Sequence, residues 1–169
     1  AFGNNTPVYF PDGTPQRLEY REQTVSLTVN RLLGDEFAVG AGYRFGKSDL
    51  RTVFPELAGQ PGSGFEDSAI LHEVRLYGDW NTTNNIFAHL EANWFRQELD
   101  DDPRRGLSRP GDDFVQFNAW GGYRFASNRC EIRAGVLNIG GTDYHLSPLN
   151  PHQELTRDRT FFVLCRMGF

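Results

Sequence analysis

The chain has 169 residues, enough for one domain of ordinary size, and carries 22 acidic against 17 basic residues. This mildly acidic balance, without a basic run that could follow a phosphate backbone, argues against a nucleic-acid partner. No apolar stretch approaches the roughly 18 residues of a membrane-spanning helix. A membrane-spanning strand would escape that test, because its alternating residues average to neutral hydropathy.

The strongest signal in the sequence is an alternation of apolar and polar residues with a period of two. In residues 36–45 the odd positions are Phe, Val, Ala, Tyr and Phe, whereas the even positions are Glu, Ala, Gly, Gly and Arg. Such alternation is typical of a strand with one apolar and one polar face. The pattern predicts seven strands, near residues 20–33, 36–45, 73–80, 86–94, 115–125, 131–137 and 161–169.

The predicted connections alternate between short and long. Short polar turns are predicted at residues 34–35, 81–85 and 126–129. Long segments containing Pro and Gly are predicted at residues 47–68, 99–113 and 139–158. Short periplasmic turns and long extracellular loops are typical of outer-membrane barrels. We therefore expect an all-β, antiparallel transmembrane β-barrel, or its C-terminal section, over residues 17–169, with residues 1–16 as the remnant of an extracellular loop.

A soluble lipocalin-like or avidin-like barrel is the main alternative, because alternation alone does not show which face is buried. Three features favour the membrane: long connections on one side, apolar alternation up to Phe169, and aromatic residues near strand ends. Those aromatic residues are Phe37, Tyr43, Phe45, Trp80, Trp94, Tyr123 and Phe125. In a membrane barrel the polar faces would line a lumen. The predicted lumen-facing residues are Glu36, Arg44, Glu73, Arg75, Glu91, Gln116, Arg124, Glu131 and Arg166.

Turn length and strand parity together predict which lumen charges face one another. If the third and fourth strands close directly on the turn between them, Arg75 faces Glu91. The next hairpin likewise sets Arg124 opposite Glu131. We interpret these as structural pairs that hold the strand register and neutralise the lumen.

The last strand resembles the C-terminal signal that the barrel-assembly machinery reads in outer-membrane proteins. The residues that carry this resemblance are Phe161, Val163, Cys165, Met167 and Phe169. Residues 138–144 (Asn-Ile-Gly-Gly-Thr-Asp-Tyr) and 159–163 (Arg-Thr-Phe-Phe-Val) look like the final hairpin of TonB-dependent receptors and related large barrels, with Gly140 and Gly141 replacing the usual bulky and acidic residues. The resemblance implies a bacterial outer-membrane location, with lipid, lipopolysaccharide and the assembly machinery as partners.

No catalytic motif stands out, neither a nucleophile elbow, nor HExxH, nor a phosphate-binding glycine loop, so we expect no enzymatic activity, cofactor or metal. Two functions stay open. One is transport of a polar solute, as in porins or TonB-dependent receptors. The other is a barrel that anchors or scaffolds a surface or periplasmic assembly.

Two further expectations concern the edges of the barrel and its cysteines. Bacterial single-chain barrels have an even number of strands and at least eight, and seven strands leave two open edges whose backbone groups lipid does not satisfy. We therefore expect upstream strands of the same protein, or other chains, to complete the wall. Cys130 and Cys165 fall on the same apolar side of neighbouring strands, and we expect free thiols because their register is uncertain.

Overall fold

The computed structural model describes residues 15–59, 63–100, 111–125 and 129–168. These residues form one antiparallel sheet of seven strands in sequential order. The strands are β1 (Arg17–Leu33), β2 (Phe37–Val53), β3 (Gly64–Asn81), β4 (Ile86–Asp100), β5 (Asp113–Phe125), β6 (Cys130–Leu137) and β7 (Thr160–Met167). The predicted all-β antiparallel fold is thus confirmed. Within the described ranges, no helix is long and apolar enough to cross a membrane.

Two of the strands extend well beyond the alternating apolar pattern. β2 continues to Val53 and β3 begins at Gly64, so the long connection predicted at residues 47–68 is wrong for most of its length. The backbone pairing continues there even though the side chains are charged on the face that was apolar before. A hydrophobic pattern reports the character of a face, whereas a strand is defined by its hydrogen-bond ladder. The connection predicted at residues 99–113 lies largely outside the described residues.

The pairing of neighbouring strands confirms one predicted register and corrects the other. Arg124 lies opposite Glu131, as predicted. Arg75, however, lies opposite Asn93, so the predicted register between β3 and β4 is wrong by two residues. The Arg75 guanidinium still forms an ion pair with Glu91, which is its diagonal neighbour on the same face.

The turn between β3 and β4 explains this shift. The backbone N–H of Thr82 donates to the carbonyl of Ile86 at 2.8 Å, and the N–H of Ile86 donates to the Thr82 hydroxyl at 3.1 Å. Asn85 adopts a φ of 64°, a left-handed conformation that asparagine tolerates better than most residues. The bonds between Thr82 and Ile86 therefore close a tighter turn, over residues 83–85 instead of the predicted 81–85, and the paired residues move by two positions.

Both edges of the sheet are open. β1 and β7 each pair on one side only, and the sheet is not closed within the part of the chain that the structure describes. The prediction that these seven strands do not close a barrel by themselves is confirmed for these residues. What completes the wall stays a prediction.

The register divides the sheet into two faces. The apolar face carries the odd-numbered residues of β1, β2, β5 and β7 and the even-numbered residues of β3, β4 and β6; the polar face carries the others. The hydrophobic core lies on the polar face, where Leu71, Phe95 and Phe114 pack with Tyr144 from the connection between β6 and β7. We call the end of the sheet that carries the β1–β2, β3–β4 and β5–β6 connections the turn end.

Candidate functional site on the polar face

The apolar face is the exposed one. Leu90 is 65% exposed, Val29 60% and Phe117 52%. Its apolar side chains form a continuous band across the strands, for example from residue 37 to 45 in β2, from 86 to 94 in β4 and from 115 to 125 in β5. Folded proteins in water rarely expose an apolar patch this continuous, and such patches usually contact a partner protein or a membrane.

Beyond the band, away from the turn end, the same face becomes charged. The ion pairs in this charged zone are Arg17–Glu19 (2.9 Å), Lys47–Asp49 (4.0 Å), Arg51–Glu66 (3.4 Å) and Arg96–Glu98 (2.7 Å). Two aromatic residues lie at the boundary with their polar atoms engaged. The Tyr43 hydroxyl lies 2.8 Å from His72 Nδ1, and Trp94 Nε1 donates to Asp113 Oδ1 at 2.7 Å. Aromatic residues with one apolar and one polar side suit such a boundary.

The strand register assigns most of the predicted lumen-facing residues to the polar face. Those that share it are Arg44, Glu73, Arg75, Glu91, Gln116, Arg124, Glu131 and Arg166. Glu36 departs from this pattern: it lies in the turn before β2, and its carboxylate accepts a hydrogen bond from Trp80, a residue of the apolar face, at 3.2 Å. That the polar face lines a lumen stays a prediction.

The residues of the predicted assembly signal lie along β7. Phe161, Val163, Cys165 and Met167 share its apolar face, and Phe169 lies outside the described residues. Both cysteine thiols are free in the structure. Cys165 lies opposite Ile132 rather than Cys130, so the two cysteines are diagonal neighbours, two positions out of register.

The connection between β6 and β7 is not an extended surface loop. Residues 138–159, here called the inserted segment, fold back onto the polar face. Near the middle of the segment, Asn150 Nδ2 donates to the Ser48 hydroxyl at 3.1 Å and to the Ala69 carbonyl at 3.3 Å. Gln97 Nε2 donates to Asn150 Oδ1 at 2.9 Å, and Gln97 Oε1 accepts from the Ser147 N–H at 2.6 Å. These buried amides join the segment to β2, β3 and β4.

A second group of amides holds the start and end of the inserted segment together. Asn138 is fully buried, and its Nδ2 donates to the carbonyls of Thr142 at 2.8 Å and Thr156 at 3.2 Å. Gln116 Nε2 donates to the same two carbonyls, at 3.2 and 3.1 Å. The N–H of Asn138 donates to Asn118 Oδ1 at 2.8 Å. Each carbonyl that the segment buries here has an amide donor, which offsets the cost of removing it from water.

Aromatic stacking supplies the apolar part of this attachment. Tyr144 is 3% exposed and stacks on Phe114 with ring centroids 5.1 Å apart; Phe114 stacks on Phe95 at 5.5 Å. The Tyr144 hydroxyl donates to the Leu155 carbonyl at 2.8 Å and accepts from the Leu155 N–H at 3.1 Å. One side chain thus packs into the core and also crosslinks two parts of the inserted segment.

Toward the turn end, the polar face carries a connected set of charges. Glu91 accepts hydrogen bonds from Asn93 at 2.6 Å and Asn118 at 3.0 Å, and it pairs with Arg75. The acidic group is therefore surrounded by three donors. Such an arrangement fixes the carboxylate in place on a face that is otherwise crossed by amides.

His89 extends this charged set along β4. Its Nδ1 lies 2.7 Å from Asp79 Oδ1, and its ring stacks on Trp120 with centroids 3.9 Å apart. Its Nε2 lies 3.8 Å from Glu91 Oε2. The imidazole is thus held by the Asp79 carboxylate and the Trp120 indole, whereas its buried Nε2 has no hydrogen-bond partner among the described residues. Among the described residues, no serine, threonine or cysteine makes a hydrogen bond to this imidazole.

Comparison with known protein families, with curated proteins and with solved structures found no match for this chain.

Proposed function

We propose that this chain forms part of the wall of a β-barrel in the bacterial outer membrane, and that the barrel carries a polar solute across it. The observation that carries the proposal is the inverted polarity of the sheet. Large apolar side chains such as Leu90 are exposed, whereas Gln97 and Gln116 are only 2% and 1% exposed. A soluble lipocalin-like barrel has the opposite arrangement, with its apolar face buried inside.

The dimensions of the apolar band support a bilayer as its surroundings. A stretch of about 9 to 11 residues at 3.3 Å per residue, tilted by about 45°, spans about 21 to 26 Å, close to the apolar band of known outer-membrane barrels. Within the described strands the band contains one charged side chain, Arg31, three residues from Gly34 in the first turn. From that depth the long arginine side chain can extend to the membrane surface.

The composition of the polar face supports the proposal that the interior of the barrel conducts a solute. This face carries charged and amide groups, and Asn118 connects Glu91 to the start of the inserted segment. The inserted segment narrows this interior, so the proposal is for a small polar solute rather than a folded protein.

The second candidate is a barrel that anchors or scaffolds an assembly. The buried state of Gln97, Gln116 and Asn150 favours it, because side chains and the inserted segment fill this part of the interior. Conductance separates the two candidates. Full-length protein in a planar bilayer should pass small ions and sugars if it transports, and a silent protein would favour the anchor.

Two adjacent residues of β1 provide the test of the membrane orientation. Val29 lies on the apolar face and Thr28 on the polar face, and both are exposed in the structure. In water, arginine at either position should cost little. In a bilayer, Val29→Arg should cost about 2–4 kcal/mol near the midplane, whereas Thr28→Arg should cost much less.

The measurement is the unfolding free energy of the full-length protein refolded into lipid vesicles, in urea or guanidinium chloride. A selective loss for Val29→Arg supports the proposed orientation. Equal values for the two variants, or a greater loss for Thr28→Arg, would contradict it. Leu90→Arg on the central strand β4 is the second variant, since Leu90 is far from the open edges.

A further inference from the structure

Three arginines surround one carboxylate at the turn end of the polar face. Arg124 of β5, Glu131 of β6 and Arg166 of β7 lie in one row across the sheet. Arg133 is the next residue on the same face of β6. Three positive charges against one negative charge leave this cluster with a net charge of +2. We call it the arginine cluster.

Of the three guanidinium groups, Arg124 is well supplied with partners. Its Nε donates to Glu131 Oε2 at 3.2 Å, and its Nη1 donates to Asn81 Oδ1 at 3.0 Å. Its guanidinium also lies over the Phe87 ring, 4.2 Å from the centroid. Arg124 therefore has a structural role, because its contacts stabilise the hairpin between β5 and β6.

The other two arginines have fewer protein partners than Arg124. The Arg133 Nε atom is buried and lies 3.9 Å from Glu131 Oε1, which is too long for a hydrogen bond, whereas the Arg133 side chain as a whole is 37% exposed. Arg166 lies opposite Glu131 and is exposed, and it makes no hydrogen bond or ion pair with any residue that the structure describes. The unpaired Arg133 Nε is destabilising because it is buried, and the neighbouring like charges of the cluster repel one another. A ligand with several acceptor oxygens and a negative charge would remove both costs.

We propose that the arginine cluster binds an oxyanion, a phosphate or carboxylate group, through Arg133 and Arg166. The planar guanidinium group matches two oxygens of such a group with parallel hydrogen bonds. In the proposed orientation the site lies at the periplasmic mouth of the interior, which makes the solute anionic. The statement that the transported solute is anionic rests on the proposed function, whereas oxyanion binding by the arginine cluster does not.

The test measures binding of inorganic phosphate to the full-length protein in an uncharged detergent by isothermal titration calorimetry. Arg133→Gln and Arg166→Gln should each weaken binding by about ten- to a hundredfold, because each removes a hydrogen bond between two charged groups. The matched control is Arg51→Gln. Arg51 pairs with Glu66 in the charged zone of the apolar face, and its replacement should leave phosphate binding unchanged.

A parallel titration with vesicles containing phosphatidylglycerol identifies the source of the anion. Saturation by phosphate indicates a soluble oxyanion, and saturation by the lipid alone indicates a headgroup. Glu131→Gln keeps all three arginines and removes the carboxylate, so it should tighten binding severalfold. Equal losses in Arg133→Gln and Arg51→Gln, or weaker binding by Glu131→Gln, would overturn the site. Failure of the oxyanion site would not affect the comparison of Val29→Arg with Thr28→Arg, which tests the membrane orientation independently.

Discussion

Replacing Tyr144 should release the inserted segment from the polar face. Tyr144→Ala removes a ring that is 3% exposed and stacked on Phe114. Large aromatic residues replaced by alanine in a core typically cost about 3–5 kcal/mol. Tyr144→Phe keeps the ring and removes only the hydroxyl, which leaves the Leu155 carbonyl and N–H without their partner. That loss should cost about 1–3 kcal/mol.

The cost should appear as local opening rather than global unfolding, because the strand ladder does not depend on this side chain. The reporter is the Ser147 N–H, which donates to Gln97 Oε1 at 2.6 Å and lies outside the altered contact. Its hydrogen exchange should accelerate by roughly 2 to 3.5 orders of magnitude in Tyr144→Ala. The increase in Tyr144→Phe should be smaller.

Ile139→Ala is the matched control, because Ile139 belongs to the same segment but is exposed. It should leave exchange at Ser147 unchanged. If Tyr144→Ala also leaves that exchange unchanged, the aromatic stack does not hold the segment, and its buried amides attach it instead. If Tyr144→Ala unfolds the whole sheet, the expectation that only the inserted segment opens is wrong.

The remaining predictions concern the sheet itself, and urea unfolding of the full-length protein measures both. Gly135→Ala should destabilise the protein by about 1–3 kcal/mol, because the added Cβ would lie 2.4 Å from the Trp120 Cβ. In the control Gly42→Ala the added Cβ would meet nothing closer than 3.8 Å, so this variant should lose less stability. Equal losses in the two variants would contradict the argument. Glu91→Gln should lower the unfolding free energy by about 1–3 kcal/mol, because the charged partner of three donors is lost. Glu66→Gln, in an exposed ion pair, should lower it by less than about 1 kcal/mol. The reverse order would show that the Glu91 network contributes no stability.

The number of strands and the identity of their two faces could be predicted from the sequence. Neighbouring residues of a strand point to opposite faces, so the alternation around Glu91 and Arg75 already assigns both to one face. That assignment survives the incorrect register between β3 and β4. The error was two residues, and a shift by an even number leaves every side chain on its face. Only the direct partner changed, from Glu91 to Asn93.

The ends of β2 and β3 and the attachment of the inserted segment required the tertiary structure. Backbone pairing continues past Phe45 without any apolar pattern to reveal it, because a hydrogen-bond ladder is made by main-chain groups that every residue carries. The segment is held by amides such as Asn150, whose partners lie 81 and 102 residues away in the chain. Contacts between such distant residues leave no local period in the sequence. The unpaired Nε of Arg133 could not be predicted from the sequence either, because the absence of an acceptor can be recognised only when the positions of all neighbouring strands are known.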